Sequence, residues 1–118
     1  MKDYKELISW QKAMLLAREI YKLTGMLPRA ERFGLSDQLR RACVSVPSNI
    51  AEGYGRESKN EYVRFLKIAR DSLYEIETQL YLCLSIGYLV KPQSELAFAL
   101  CTEISKMLTA TIRTLQYQ

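Results

Sequence analysis

Apolar residues recur at steps of three and four along most of the chain, which is the spacing of amphipathic helices. No stretch shows the alternation expected of a strand. The first helix is predicted over residues 4–24, with Gly25 as its end signal. Trp10 is predicted to anchor the core. The apolar face of this helix is predicted to consist of Leu7, Trp10, Met14, Ala17, Tyr21 and Thr24.

The second helix is predicted to begin near Ser36, with Ser36 or Asp37 accepting hydrogen bonds from its first free amides. Pro47 lies inside its pattern. Because proline lacks an amide proton and its ring presses on the carbonyl four residues earlier, we expect a kink that costs about 3 kcal/mol. One face of this helix carries Leu35, Leu39, Ala42, Val46, Ile50 and Gly53.

Four residues around this proline are predicted to be structural: Pro47, Asn49, Glu52 and Gly53. Asn49 and Glu52 lie beside the apolar face, where a polar group costs free energy unless it has a partner. The side chain of Asn49 or Ser45 is expected to satisfy backbone groups that the proline leaves open. Glu52 also has the i,i+4 spacing for an ion pair with Arg56. A ligand site is the alternative interpretation of Asn49 and Glu52.

The third helix is predicted over Lys59–Ile86, opened by a capping box of Ser58 and Glu61 and ended by Gly87. Its core seam comprises Leu66, Ala69, Leu73, Ile76, Leu80 and Cys83. A second stripe, about a quarter turn away, carries Val63, Lys67, Arg70, Tyr74 and Tyr81. Because an ordinary surface helix buries one stripe, Val63, Tyr74 and Tyr81 are predicted to contact another copy of the chain. Alternatively, the tyrosines cover edges of the bundle.

The last helix is predicted to have Pro92 at its first position and to run to the C-terminus. Its apolar face carries Ala97, Cys101, Ile104, Leu108, Thr111 and Leu115. Four helices joined by short links predict an all-α fold, an antiparallel up-down four-helix bundle with a proline-kinked second helix. Residues 1–118 are enough for one packed core, so a single domain is expected.

Positive charge is concentrated in the middle of the chain. The net charge is +4, and residues 29–70 hold nine basic residues against five acidic ones, so the remainder is neutral. This excess is compatible with an anionic partner, and a nucleic acid bound through its phosphates is the candidate. On charge alone, the alternative of a solubilising face is slightly favoured. The predicted nucleic-acid-binding residues are Arg40, Arg41, Arg56, Lys59, Arg64, Lys67 and Arg70.

The sequence offers few groups for catalysis. It contains no histidine, which argues against histidine general bases and against the His-containing metal sites of helical bundles. Asp71, Glu75 and Glu77 form an acidic cluster that we interpret as a solvated face. We therefore expect no enzyme activity, no metal and no cofactor. Three cysteines in apolar positions and the lack of an apolar segment long enough to span a bilayer predict a reduced, cytoplasmic protein without a membrane role.

Several motifs resemble those of the four-helix-bundle proteins encoded in intervening sequences of bacterial 23S ribosomal RNA genes, also labelled S23 ribosomal proteins. They comprise Phe33-Gly34-Leu35, Arg40-Arg41-Ala42, SVPSNIAEG over residues 45–53, Arg64-Phe65-Leu66 and Gly87-Tyr88-Leu89. The resemblance spans residues 10–108. One departure is Asp71, where the family often has glycine.

This resemblance implies an up-down bundle that assembles into a ring-like homo-oligomer, a pentamer, with a basic surface. The chain is also similar to the accessory variability determinant of diversity-generating retroelements, a bundle that associates with a reverse transcriptase and RNA. The expected function is a non-enzymatic homo-oligomeric bundle that binds RNA or another nucleic acid. The alternative is a structural or adaptor protein that acts through a protein partner, with no nucleic-acid role.

Overall fold

Four α-helices form a bundle in the computed structural model, which describes residues 3–118. They are α1 (Ile8–Thr24), α2 (Leu35–Tyr54), α3 (Lys59–Ile86) and α4 (Lys91–Gln116). Short 3₁₀ turns at Tyr4–Glu6 and Arg29–Glu31 precede α1 and α2. Every regular element in the described residues is helical, which confirms the all-α prediction. No helix among them combines the length and apolarity needed to cross a membrane.

Each helix packs against the next one in the chain, and α1 also packs against α4. The contacts between α2 and α3 run in opposite order along the two helices, since Gln79 donates to Gln38 and Ser72 donates to Ser45. A salt bridge of 2.8 Å between Lys12 and Glu103 joins α1 to α4. The core therefore lies in the centre of a molecule measuring 46 × 22 × 20 Å.

The inward face of α1 differs in part from the predicted one, since Thr24 is buried and Ala17 packs against the core as predicted. Ala13, Leu16, Ile20 and Leu23 are buried, whereas Met14 and Tyr21 are 41% and 48% exposed. Trp10 packs at the edge of the core, where its ring meets that of Tyr4 at 5.4 Å. Because Leu7 has an extended backbone, the predicted helix of residues 4–24 is divided into a 3₁₀ turn and α1.

The start of α2 is stabilised by a side chain from outside the helix. Glu31 Oε1 accepts a hydrogen bond from the Leu35 amide at 3.1 Å, and Gly34 occupies the N-cap position. Ser36 is buried and Asp37 pairs with Arg41. The prediction that Ser36 or Asp37 caps this helix was therefore wrong, because a carboxylate from the preceding turn reaches the free amide.

Pro47 is buried within α2, which continues as one helix to Tyr54. The predicted core face of this helix is confirmed for Leu39, Ala42, Val46 and Ile50. The kink at Pro47 stays a prediction.

The third helix has the predicted bounds, Lys59–Ile86, and its six seam residues are buried. Ser58 Oγ accepts a hydrogen bond from the Glu61 amide at 3.0 Å, which is one half of the predicted capping box. The Glu61 carboxylate accepts a hydrogen bond from Arg64 instead of from the Ser58 amide, so the other half is not formed. The prediction that Val63 lies on the outward stripe and contacts another copy was wrong, because Val63 is 8% exposed and belongs to the core. It packs inward with the seam instead of lying beside the exposed tyrosines.

Gly87 ends α3 in the left-handed conformation, with φ of 94°. Its amide and that of Tyr88 both donate to the Cys83 carbonyl, at 3.1 and 2.9 Å. This arrangement satisfies the carbonyls that a helix end leaves free and explains why glycine suits the position. Lys91 then begins α4, with Pro92 in its first turn as predicted.

Candidate nucleic-acid interface

The seven predicted phosphate-binding residues do not form one patch. They lie on α2, on α3 and on the corner between them, and their side chains reach toward different neighbours. Among residues 3–118, two of the seven have a carboxylate partner: Arg41 with Asp37 at 3.5 Å and Arg64 with Glu61 at 2.8 Å. The hydrogen bond from Arg64 lowers the pKa of the Glu61 carboxyl.

Arg40 is held against α1. Its Nε donates to Thr24 Oγ1 at 2.8 Å, and its guanidinium carbon lies 5.0 Å from the centre of the Tyr21 ring. Thr24 in turn donates to the Tyr21 carbonyl at 3.0 Å. A partly buried arginine with these contacts contributes to packing between α1 and α2, so its role is at least partly structural.

Two guanidinium groups meet at one ring where α2 ends and α3 begins. Arg56 and Arg64 lie 4.8 and 4.6 Å from the centre of the Phe65 ring, which is itself buried. Cation–π contacts of this kind are worth about 0.5–1 kcal/mol at exposed sites. The ring therefore restrains two exposed cations beside each other. Arg56 contacts this ring, and the predicted ion pair with Glu52 is not formed.

Lys59 and Lys67 are exposed on the first turns of α3. Among the described residues, neither lysine has a carboxylate within salt-bridge distance. Together with Arg56 and Arg64 they make up the corner cations, which lie on the connection after α2 and on the first turns of α3. Of these four, the structure brings Arg56 and Arg64 together, at the ring of Phe65. Arg70 is separate from this group, since its Nη1 donates across to Thr109 Oγ1 on α4 at 3.1 Å.

Three polar side chains link α2 to α3 beside Pro47. Asn49 Nδ2 donates to the Ser45 carbonyl and hydroxyl at 2.8 and 2.9 Å, and Ser72 Oγ donates to Ser45 Oγ at 2.8 Å. Asn49 thus binds the carbonyl of Ser45, whereas the carbonyl freed by the proline belongs to Cys43. Glu52 is exposed. These contacts support a structural role for Asn49, and Ser72 is a partner that spacing along α2 could not identify.

Gly53 allows α2 and α3 to approach closely. A Cβ atom at this position would lie 2.8 Å from Phe65 Cβ and 3.0 Å from Tyr62 Cδ1. Gly53 therefore acts through packing, and the sequence placed it on the correct face of α2. Because the same contact positions Phe65, it also helps to position the arginines that lie against that ring.

Groups suited to catalysis are scarce in this arrangement. Within residues 3–118, no three His, Cys, Asp or Glu side chains lie close enough to hold a metal ion. Burial raises the pKa of Cys43 from 9.0 to about 11 and that of Cys101 to about 12. Burial also raises the pKa of Cys83. Neutral, buried thiols are poor nucleophiles and poor metal ligands.

Comparison with known proteins identifies the family. The sequence profile described as 23S rRNA-intervening sequence protein matches residues 5–110. The chain belongs to this family. A solved structure from the S23 ribosomal protein family of Bacteroides thetaiotaomicron, a protein of unknown function, is similar, with 28% identity and a TM-score of 0.83. The match covers 89% of this chain and 98% of that one. No functionally curated protein matches.

The resemblance of the sequence motifs to the intervening-sequence family is therefore confirmed, for both the family and the fold. The conspicuous SVPSNIAEG motif lies on α2 and contributes core residues, the close approach at Gly53 and the Asn49 contacts. Much of this motif therefore serves the packing of α2 against α3.

Sequence reasoning did not identify Phe65, Thr24 or Thr109 as partners of the predicted cations. Phe65 lies across the α2–α3 corner from Arg56. Thr24 lies on α1 and its partner Arg40 on α2, whereas Thr109 lies on α4 and its partner Arg70 on α3. An exposed arginine one helical turn or less from an aromatic residue is the signal that could have indicated the Arg64–Phe65 contact. No local signal predicts the contacts of Arg40 with Thr24 and of Arg70 with Thr109.

Proposed function

We propose that this chain functions as a non-enzymatic homo-oligomeric bundle that binds RNA or another nucleic acid through backbone phosphates. The observation that carries the proposal is the corner group of Arg56, Lys59, Arg64 and Lys67. Three of these four side chains lack a carboxylate partner among the described residues, and two are restrained on the ring of Phe65. Arg56 is both restrained and without a carboxylate partner, and such a cation suits phosphate contacts because less side-chain entropy is lost on binding.

The elements around this group supply no sequence-reading device. We expect affinity to come from phosphate contacts, with little discrimination between sequences and a strong dependence on salt. The family's description refers to an intervening sequence of 23S rRNA, which agrees with RNA as the partner of first choice.

The test is a fluorescence-anisotropy titration of a labelled 20-nucleotide RNA of mixed sequence at several salt concentrations. The double variant Lys59→Ala with Lys67→Ala is expected to bind about tenfold more weakly, with a salt slope reduced by about 1.4, since each single-strand phosphate contact contributes about 0.7. The matched control is Arg18→Ala with Lys22→Ala, which removes two exposed charges from α1. Absence of RNA binding by the unaltered protein at low salt would contradict the proposal.

An adaptor role is the second candidate, and one observation favours it. Apolar side chains are exposed on the two connections that precede α2 and α4. Phe33, on the first connection, is 84% exposed, and Ile86 and Val90 are exposed on either side of the second. A hydrogen bond of 2.9 Å from Tyr88 to Glu31 joins these connections. Replacing Phe33 by Ser should then abolish a protein interaction and leave RNA binding unchanged, as measured by co-purification and anisotropy.

A further inference from the structure

A second basic region arises where α4 lies beside α3. Ser105, Lys106, Thr109, Ala110 and Arg113 line an open groove of about 250 Å³ on α4. Lys106 and Arg113 are exposed and are seven residues apart, which places them on one helix face about 10.5 Å apart along the axis. Along the sequence these two cations lie outside the charge excess of residues 29–70, so charge counting does not associate them with it.

Arg70 of α3 contacts Thr109 at the edge of this groove. Its Nη1 donates to Thr109 Oγ1 at 3.1 Å, and its Nε is buried without a hydrogen-bond partner among the described residues. Arg70 contacts Thr109, and Tyr81 contacts Phe98. Eleven residues separate the two contacts on each helix, and they run in opposite directions, so both contacts belong to one antiparallel register. Arg70 therefore lies at the edge of the groove, at a level between Lys106 and Arg113.

Carboxylates are scarce on this surface. The sequence contains no acidic residue after Glu103, whose carboxylate is engaged by Lys12 on the α1 side. Asp71 and Glu75 line a separate groove with Gln38. The Glu77 carboxylate faces α4 and acts on the buried Cys101 thiol. Among the described residues, no carboxylate lies within salt-bridge distance of Lys106 or Arg113.

We infer that this groove on α4, at whose edge Arg70 of α3 contacts Thr109, binds phosphate groups of a nucleic-acid backbone through Lys106 and Arg113. This inference rests on the proposed function and adds a second contact region to it. Thr109 accepts a hydrogen bond from Arg70, so its own hydroxyl proton is available to a phosphate oxygen. Ser105 supplies a second hydroxyl donor. Two cations with two hydroxyl donors match the acceptor-only chemistry of phosphodiester oxygens.

The test is the RNA titration of a double variant that carries both Lys106→Ala and Arg113→Ala, compared with the unaltered protein. We expect affinity to fall about tenfold at low salt and the salt slope to fall by about 1.4, which corresponds to the loss of two phosphate contacts. The control is again Arg18→Ala with Lys22→Ala, which produces the same change in net charge. Thermal melting of both double variants verifies that they remain folded, because Arg113 also lies in the last turn of α4.

The outcomes separate this inference from the function on which it rests. If the unaltered protein binds RNA and the Lys106 and Arg113 double variant matches the control in affinity and slope, the groove inference is overturned and the proposed function stands. If the unaltered protein binds no RNA at low salt, both are overturned. A loss in the groove variant that clearly exceeds the loss in the control supports the groove.

Discussion

The three cysteines show how burial decides the chemistry of single residues in this protein. Cys43, Cys83 and Cys101 are buried in different helices and none forms a disulfide. Desolvation disfavours the thiolate, so the pKa of each thiol is raised in the folded state. Their apolar positions in the sequence predicted this burial correctly, since helical periodicity is a local property.

Stability should therefore fall at alkaline pH. Unfolded thiols lose their protons near pH 9, whereas folded Cys43 and Cys101 retain theirs to about pH 11 and 12, so the folded state binds more protons in this window. The contribution is complete below pH 9 and is lost as the pH rises, by at most about 1.4 kcal/mol per pH unit for each thiol. Urea unfolding from pH 7 to pH 10 measures it.

The matched control replaces Cys43 and Cys101 by Ala. This variant should lose stability less steeply above pH 9, whatever its stability at pH 7. Cys83, Tyr62 and Tyr88, whose pKa values are also raised, remain in both proteins and cancel in the comparison. Parallel pH profiles for the two proteins would show that the thiols do not carry the effect.

At the scale of elements, α3 and α1 show when periodicity is sufficient. The bounds and seam of α3 were predicted correctly because one stripe is continuously apolar and both ends carry cap signals. In α1 two stripes have the same three-and-four spacing, offset by one residue, and the inward one proved to be Ala13, Leu16, Ile20 and Leu23. Large residues such as Trp10 and Tyr21 misled the prediction, since they cover bundle edges with part of the side chain exposed.

The close approach of α2 and α3 depends on Gly53. Replacing Gly53 by Ala should destabilise the bundle by about 1–3 kcal/mol, because the added methyl would lie 2.8 Å from Phe65 Cβ. Gly55→Ala is the matched control, since its Cβ would meet nothing closer than 3.6 Å and is expected to be neutral or slightly stabilising. The free energy of unfolding in urea measures both. Equal stabilities for the two variants would exclude a packing role for Gly53.

At the scale of the whole molecule, the outward tyrosines of α3 bear on assembly. Tyr74 is 49% exposed and Tyr81 is 62% exposed, with the Tyr81 ring 4.7 Å from that of Phe98. Tyr81 thus partly covers the edge between α3 and α4, which is the alternative that the sequence left open. Tyr74 has no ring partner among the described residues and is the better candidate for contact with another copy.

We expect Tyr74→Ser to reduce the fraction of assembled protein at micromolar concentration, because it removes apolar area from the proposed contact. Tyr117→Ser is the control, since Tyr117 is exposed at the end of the chain, away from this stripe. Light scattering over a dilution series measures the molar mass of both. A monomeric unaltered protein at micromolar concentration would contradict the proposed oligomer.

The sequence alone determined the number of helices, the bounds of α3, the family and most of the core of α2, α3 and α4. These features follow from local periodicity, caps and motifs. Tertiary structure alone decided which stripe of α1 faces inward, where Val63 lies, and which distant partners hold Arg40 and Arg70. It also decided that Arg70 contacts Thr109, which lies between Lys106 and Arg113 on α4. The reason is that such contacts join residues far apart in the chain, and only the packing of one helix against another selects among stripes that are equivalent in sequence.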